Sequence, residues 1–216
     1  TNTDVGYGTI VVKGNGSYAG FVSEVITFAI TPQNISALTV LDGKSNVFAD
    51  REYTGTAILP EVALTAKVGT QTYTMPTTDY TVTAKTDNVS VGTVTLEITG
   101  TGNNITGSRE VTFKITPKSL SKPTSGKTDT ISVQVTQDTF TYDGTAKTPS
   151  VIVTYQYGSE TEVRTLEKDK DYTVSYSNNV AAGTANVTVS GIGNYAGART
   201  ETFTITAQDM SAATVT

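Results

Sequence analysis

The chain contains no cysteine, no histidine and no tryptophan among its 216 residues. Zinc sites, iron–sulfur clusters and Cys–His pairs require cysteine or histidine, and the Ser–His–Asp triad also needs histidine. Paired carboxylates such as Glu160 and Glu162 lie in a polar segment that offers no apolar side chains to separate their pKa values. We therefore predict that the protein is not an enzyme and that it holds no cofactor and no metal.

Basic residues and long apolar runs are also scarce. The chain has 15 Lys and Arg against 20 Asp and Glu, a formal net charge of −5, and its basic residues are scattered. Nucleic-acid binding needs a cluster of positive charge, so we predict no nucleic-acid partner. No apolar run approaches the roughly 18 residues of a membrane-spanning helix, so we predict no membrane insertion.

Threonine, valine, tyrosine, glycine and asparagine are abundant, and this composition favours strands joined by tight turns. Apolar and polar residues alternate along two segments that begin at Val94 and Ala185, as in a sheet with one solvated face. Further strands are predicted at about 36–41, 61–68, 79–84 and 109–116. No window has sustained helical periodicity, so we predict an all-β protein built of sandwiches or barrels.

An internal repeat is the main signal in the sequence. Residues 171–197 resemble residues 79–107, and residues 2–20 resemble the second half of the same block. Each copy is followed by a strand of the pattern Thr-Phe-x-Ile-Thr, whose aromatic residue is Phe28, Phe113 or Phe203. The separations of these three residues, 85 and 90 positions (113 − 28 and 203 − 113), fit a β-sandwich domain of about 100 residues.

A second landmark recurs upstream, where Tyr53-Thr-Gly-Thr-Ala57 matches Tyr142-Asp-Gly-Thr-Ala146. The joints Thr31-Pro32 and Thr116-Pro117 follow a strand directly, without a Gly/Ser linker. Because proline fixes its own φ and holds the preceding residue extended, such joints favour a stiff, elongated array of modules.

The recurring motifs resemble the YDG/MBG-type bacterial immunoglobulin-like repeats. They are Tyr-[Thr/Asp]-Gly-Thr-Ala, Asp-Tyr-Thr-Val, Gly-x-Gly-Asn-Tyr-x-Gly and Thr-Phe-x-Ile, and Asn104 stands in place of the motif tyrosine found at Tyr18 and Tyr195. The resemblance implies tandem immunoglobulin-like β-sandwich modules in secreted or surface proteins, especially of Firmicutes. It also implies an extracellular location at the cell surface or cell wall.

The repeat and the resemblance together predict four segments. Residues 1–31 are the C-terminal strands of an incomplete module, residues 32–116 and 117–206 are two complete modules, and residues 207–216 are the first strand of a following module.

Three tyrosines of the second module are candidate ligand-binding residues. Tyr155, Tyr157 and Tyr176 stand where the first module has Ala66, Val68 and Ala84, and tyrosine rings can stack on sugars. The alternative is that they fill the core, because Tyr155 and Tyr157 alternate in phase with Val151 and Val153.

Two other features have simpler interpretations. The acidic stretch from Glu167 to Asp171 lacks the pattern of a calcium loop, so we predict a solvated turn in which Asp171, like Asp79, caps the backbone. No lysine recurs at a core position in both modules, and Lys114 falls on the polar face. We therefore predict no intramolecular isopeptide bond.

The predicted function is that of a structural spacer or stalk in a bacterial surface or adhesin-type protein. One alternative is a module that binds a carbohydrate or a host surface protein. Another is self-association through unpaired strand edges. The partners implied are neighbouring modules of the same chain and, under the adhesion alternative, a glycan or a host protein.

Overall fold

A computed structural model describes residues 4–102, 104–121, 130–156, 163–209 and 211. Within these residues the regular elements are β-strands and three short 3-10 turns, at Gly16–Tyr18, Ile35–Ala37 and Thr77–Asp79. The predicted all-β class is confirmed.

The chain divides into two compact units. Unit 1 comprises Thr1–Arg51, Ile58–Asn88 and Gly92–Lys114, and unit 2 comprises Glu52–Ala57, Val89–Val91 and Ile115–Thr216. This division places residues 1–31 within unit 1, and the four segments drawn from the repeat stay a prediction. It also assigns two loops of the segment 32–116 to unit 2.

The chain up to Thr116 forms eleven strands among the described residues. They are β1 (Gly6–Ile10), β2 (Ile26–Ile30), β3 (Gln33–Asn34), β4 (Thr39–Asp42), β5 (Arg51–Glu52), β6 (Val62–Val68), β7 (Gln71–Thr74), β8 (Tyr80–Ala84), β9 (Gly92–Gly100), β10 (Ile105–Thr106) and β11 (Ser108–Thr116). The predicted strands at 61–68, 79–84 and 109–116 are confirmed to within one residue. The strand predicted at 36–41 begins instead with a 3-10 turn, which the Asn34 side chain caps through the Ser36 amide.

Nine more strands follow in the rest of the described chain. They are β12 (Lys118–Ser119), β13 (Thr130–Val135), β14 (Thr139–Thr141), β15 (Val151–Gln156), β16 (Val163–Thr165), β17 (Tyr172–Ser177), β18 (Gly183–Gly191), β19 (Tyr195–Ala196) and β20 (Ala198–Thr206). Residues 207–209 form no strand, and most of the segment 207–216 lies outside the described residues.

The same strand order occurs twice. A three-stranded sheet runs β4-β6-β7 in the first set and β13-β15-β16 in the second, and a four-stranded sheet runs β5-β11-β9-β8 and β14-β20-β18-β17. Strands β1 and β2 form a separate antiparallel pair.

A short parallel pair also recurs. Gln33 of β3 pairs with Ile105 of β10, and Lys118 of β12 pairs with Tyr195 of β19. The backbone amide of Gln33 donates to the carbonyl of Asn104 at 2.8 Å. The residue that corresponds to Tyr195 is therefore Ile105, and the sequence alignment that placed Asn104 there is wrong by one residue.

The alternating strands β9 and β18 bury the side chains that the sequence predicted. The side chains on their inward faces are fully buried, namely Val94, Leu96, Ile98, Ala185, Val187 and Val189. Phe113 and Phe203, one residue from each repeat, are 3% and 2% exposed, whereas Phe28 on β2 is 38% exposed. The period-two pattern is thus sufficient to identify the buried face of these strands.

The core of unit 2 joins side chains from both of its larger sheets. One cluster combines Ile131 and Val153 of the three-stranded sheet with Tyr172 and Val189 of the four-stranded sheet. A second cluster surrounds Phe203, whose ring meets Phe140 edge to face with centroids 5.7 Å apart. Both larger sheets of unit 2 therefore bury side chains in common clusters.

The glycine motif before the last strand has a packing cause. A Cβ at Gly191 would lie 2.7 Å from the Ala196 backbone nitrogen, and one at Gly100 would lie 2.4 Å from the Ile105 carbonyl oxygen. Only glycine lets these backbones approach so closely. The motif therefore allows two backbone segments to pack closely.

Candidate functional site

The structure separates two of the three candidate tyrosines, Tyr155 and Tyr176. Tyr155 on β15 is 2% exposed, and its ring meets Tyr195 edge to face with centroids 6.4 Å apart. The ammonium of Lys118 lies 5.6 Å from the centroid of the same ring. A ring this deeply buried presents no surface to a sugar, so Tyr155 is a core residue, as its phase with Val153 predicted.

Tyr157 lies outside the described residues. Tyr176 on β17 is half-buried and packs against the cluster around Phe203, not against the cluster that holds Tyr155. Its hydroxyl donates to the carbonyl of Pro149 at 2.6 Å, and burial raises its pKa above the ordinary tyrosine value. The structure therefore does not bring Tyr155 and Tyr176 to one surface.

A cavity of about 300 Å³ lies beside Tyr176. It is lined by Thr148, Ser150, Val151, Lys168, Tyr172, Val174 and Tyr176. Two aromatic side chains, two aliphatic hydroxyl groups and one ammonium are groups that can stack on a small polar ligand and hydrogen-bond to it. The volume lies at the lower end of the range for small-molecule sites.

Of the two tyrosines that line the cavity, Tyr172 has a tyrosine at the corresponding position of unit 1, and Tyr176 does not. Tyr172 donates from its hydroxyl to the carbonyl of Val151, and its pKa is raised by burial and then by the nearby Asp169 and Asp171. Tyr80 makes the corresponding bond in unit 1, to the carbonyl of Val62 at 2.8 Å. The position of Tyr176, in contrast, is occupied by Ala84, which cannot supply an aromatic wall.

The acidic stretch forms a turn closed by its own side chains. The Asp171 carboxylate accepts from the backbone amide of Glu167 at 2.9 Å, which confirms its predicted capping role. Lys170 pairs with the exposed Glu167 at 3.0 Å. In the part of the chain that the structure describes, no three acidic side chains are grouped so that they could hold a metal ion.

Sequence reasoning missed a buried lysine. Lys118 is 3% exposed, and its Nζ lies 2.5 Å from a carboxylate oxygen of Glu52. The available signal was the alternation of Lys118 with Leu120, which is fully buried on the same face. Lys114 is exposed, as predicted, and the absence of an isopeptide bond stays a prediction.

Comparison with known proteins gives no family for this chain. It matches no protein-family model, and neither a curated protein nor a solved structure matches it. Within the described ranges, no helix has the length and apolar character needed to cross a membrane.

Proposed function

We propose that this chain is an extracellular structural spacer, formed by tandem immunoglobulin-like β-sandwich modules of the YDG/MBG type in a bacterial surface or secreted protein. The observation that carries the proposal is that corresponding residues of the segments 32–116 and 117–206 make the same hydrogen bonds. A spacer needs a scaffold that can be copied many times, and these bonds belong to the scaffold.

The first of these repeated contacts is a pair of hydrogen bonds between an asparagine and a distant residue, which we call the asparagine clip. The Ile58 amide donates to the Asn88 carbonyl at 2.8 Å, and the Asn88 side chain returns a bond to the Ile58 carbonyl at 3.1 Å. Lys147 and Asn179 repeat both bonds, at 2.7 and 2.8 Å. The clip fixes the same loop against the same strand end in both segments.

The second repeated contact joins the residue before β8 or β17 to the residue that follows β9 or β18. The amide of Thr101 donates to the carbonyl of Asp79 at 2.9 Å, and Ile192 donates to Asp171 at the same distance. Both of these hydrogen bonds join backbone groups, so they can form whatever side chains the surface carries. The repeated features are therefore those that keep the fold constant.

The spacer function is testable by varying the number of repeats. The chain is anchored to a bacterial surface through its C-terminal end and carries an epitope tag before Thr1. Deleting residues 117–206, which joins Thr116 to Ala207 in the same register, should reduce access of a large antibody to the tag. Inserting a second copy of 117–206 should increase it.

The matched control replaces residues 117–206 by a Gly/Ser linker of about ten residues, whose coil spans roughly 15–20 Å, less than the length of one nine-residue strand. Equal antibody access in all of these variants, when each is folded and equally expressed, would contradict the spacer function.

A second candidate function is carbohydrate binding at the cavity beside Tyr176, favoured by its two tyrosines and two aliphatic hydroxyl groups. Tyr176→Ala gives unit 2 the residue that unit 1 has at Ala84 and removes the aromatic wall, and a circular dichroism spectrum checks that the variant is folded. Any polysaccharide retained by the unsubstituted chain on an array should be lost by this variant. Tyr73→Ala, at a tyrosine that is 51% exposed on β7, should retain it. No retention by the unsubstituted chain would remove the candidate.

A further inference from the structure

Unit 2 contains two loops from earlier in the chain, residues 52–57 and 89–91. Tyr53 in the first loop meets Tyr195 edge to face with ring centroids 5.6 Å apart, and it packs against the cluster that includes Tyr155. The Arg164 guanidinium donates to the Thr54 carbonyl at 3.2 Å. These contacts leave Tyr53 and Thr54 only partly exposed.

A hydrogen bond from the backbone of the second loop to a side chain helps to hold this loop in unit 2. The Val91 amide donates to the side-chain oxygen of Asn194 at 2.8 Å. The ion pair between Lys118 and Glu52 lies at the edge of the first loop. The groups of unit 2 that contact these loops are therefore an aromatic ring, an asparagine side chain and a buried lysine.

The corresponding loops of the second repeat are residues 141–146 and 180–182. The first of these loops repeats a backbone contact, since the Tyr142 amide donates to the Thr206 carbonyl at 2.8 Å, as the Tyr53 amide does to the Thr116 carbonyl at 2.9 Å. Their exposure differs: Tyr142 is 39% exposed and Val180 is 43% exposed. We call residues 142 and 180–182 the distal surface.

The distal surface borders a cavity of about 410 Å³, which is lined by Tyr142, Ala181, Ala182, Ala207 and Gln208. Three of these side chains are alanine methyl groups, and the tyrosine ring adds further apolar area. These lining residues correspond to Tyr53, Ser90, Val91, Pro117 and Lys118 one repeat earlier, where Tyr53 packs against the core cluster of unit 2.

A paired sequence change indicates what covers this surface. Glu52 corresponds to Thr141, and Lys118 corresponds to Gln208, so a charged pair becomes a neutral pair at both positions together. If a repeat docked at residue 208 as one does at Lys118, a lysine at position 208 facing Thr141 would be buried without a carboxylate, which is strongly unfavourable. The neutral pair avoids this cost if residue 208 begins a repeat that docks there.

We propose that the distal surface docks a further repeat built like residues 119–206, which begins at Gln208. Its counterpart of Tyr195 covers Tyr142, and its counterpart of Asn194 accepts from the Ala182 amide. The inference rests on the proposed function only in treating the segments as copies of one module, and it does not depend on the extracellular location.

The test uses an extended chain in which a second copy of residues 119–206 follows Gln208. Amide hydrogen exchange is measured at Ala182 in the original and extended chains. Because Ala182 corresponds to Val91, its amide should gain a buried acceptor, and exchange should slow by at least about tenfold.

The matched control is Asn194→Ala, made in one copy at a time. In the added copy it should return Ala182 to its original exchange rate and leave Val91 unchanged. In the original copy it should accelerate exchange at Val91 and leave Ala182 protected. This reciprocity separates a specific contact from general stabilisation.

A second variant tests the pairing of positions 141 and 208. In the extended chain, Gln208→Lys should weaken the protection of Ala182, and adding Thr141→Glu should restore it. An unchanged exchange rate at Ala182 in the extended chain would overturn the proposal. So would an added copy that stays unfolded, because the surface would then have failed to complete it. Either failure leaves the antibody-access result for the spacer function unaffected.

Discussion

At the scale of single residues, the turn at Asp143 shows how one side chain stabilises a loop. Its carboxylate accepts from the Thr145 amide at 2.8 Å and from the Thr145 hydroxyl at 2.6 Å, and it forms an ion pair with Lys147. The Lys147 ammonium, followed by the Thr145 bonds, lowers the pKa of Asp143 well below its ordinary value of 3.8.

A lowered pKa in the folded state makes the contribution of Asp143 depend on pH. The stabilisation is fully present above the ordinary aspartate pKa and is lost as the pH falls through the lower folded pKa. Asp143→Asn keeps the turn acceptor and removes the charge, so the variant should melt below the unsubstituted chain at neutral pH. The gap should close at strongly acidic pH. A gap that stays constant in thermal melts across this range would show that the ion pair contributes nothing.

The burial of a side chain could be predicted where apolar and polar residues alternate along a strand, and it was missed elsewhere. The burial of Tyr155 followed from its phase with Val153, and the burial of Leu96 followed from alternation along its strand. Lys118 was missed because a lysine is expected at the surface unless a partner is known. That partner, Glu52, is distant in sequence, so only the folded chain brings the two charges together.

At the scale of elements, strand β9 provides the main test of packing. Leu96→Ala removes a fully buried side chain and should lower the free energy of unfolding by about 2–5 kcal/mol. Thr99→Ala, on the exposed face of the same strand, should change it by less than about 0.5 kcal/mol. Chemical denaturation measures both values. Similar losses for the two variants would refute the assigned faces.

The long strands could be predicted from the sequence, and the short ones could not. Strands β9 and β18 span nine residues each, enough for alternation to be unambiguous. Strands β3 and β10 have two residues each, which carry no period, and their pairing depends on contacts between distant segments. The one-residue error at Asn104 has the same origin, because only the pairing with Gln33 identifies Ile105 as the buried residue.

At the scale of the whole molecule, Tyr53 and Tyr142 allow the same position to be compared in the two repeats. They occupy corresponding positions, but Tyr53 packs on the core cluster of unit 2, whereas Tyr142 is 39% exposed. Tyr53→Ala should destabilise unit 2 by about 1–3 kcal/mol, less than full burial of an aromatic ring would give. Tyr142→Ala should cost less than about 0.5 kcal/mol. Equal losses in denaturation would contradict the assignment of residues 52–57 to unit 2.

The repeat pattern could not predict the boundary of unit 2. A period locates where a motif recurs, and it gave boundaries at 116 and 206. It does not show which loops a unit takes from elsewhere in the chain, because those contacts depend on single side chains such as Tyr53 and Asn194. The likeness between Tyr53 and Tyr142 was visible in the sequence, but their different exposure was not.

The central claim is that residues 32–116 and 117–206 fold on one template, and the closing parallel pair tests it most directly. Residue-resolved amide hydrogen exchange would report on the amides of Gln33 and Lys118, which donate to Asn104 and Asn194 at 2.8 and 2.9 Å. We predict that both amides exchange slowly compared with those of an unstructured chain. Protection of one amide and unprotected exchange at the other would contradict a common template.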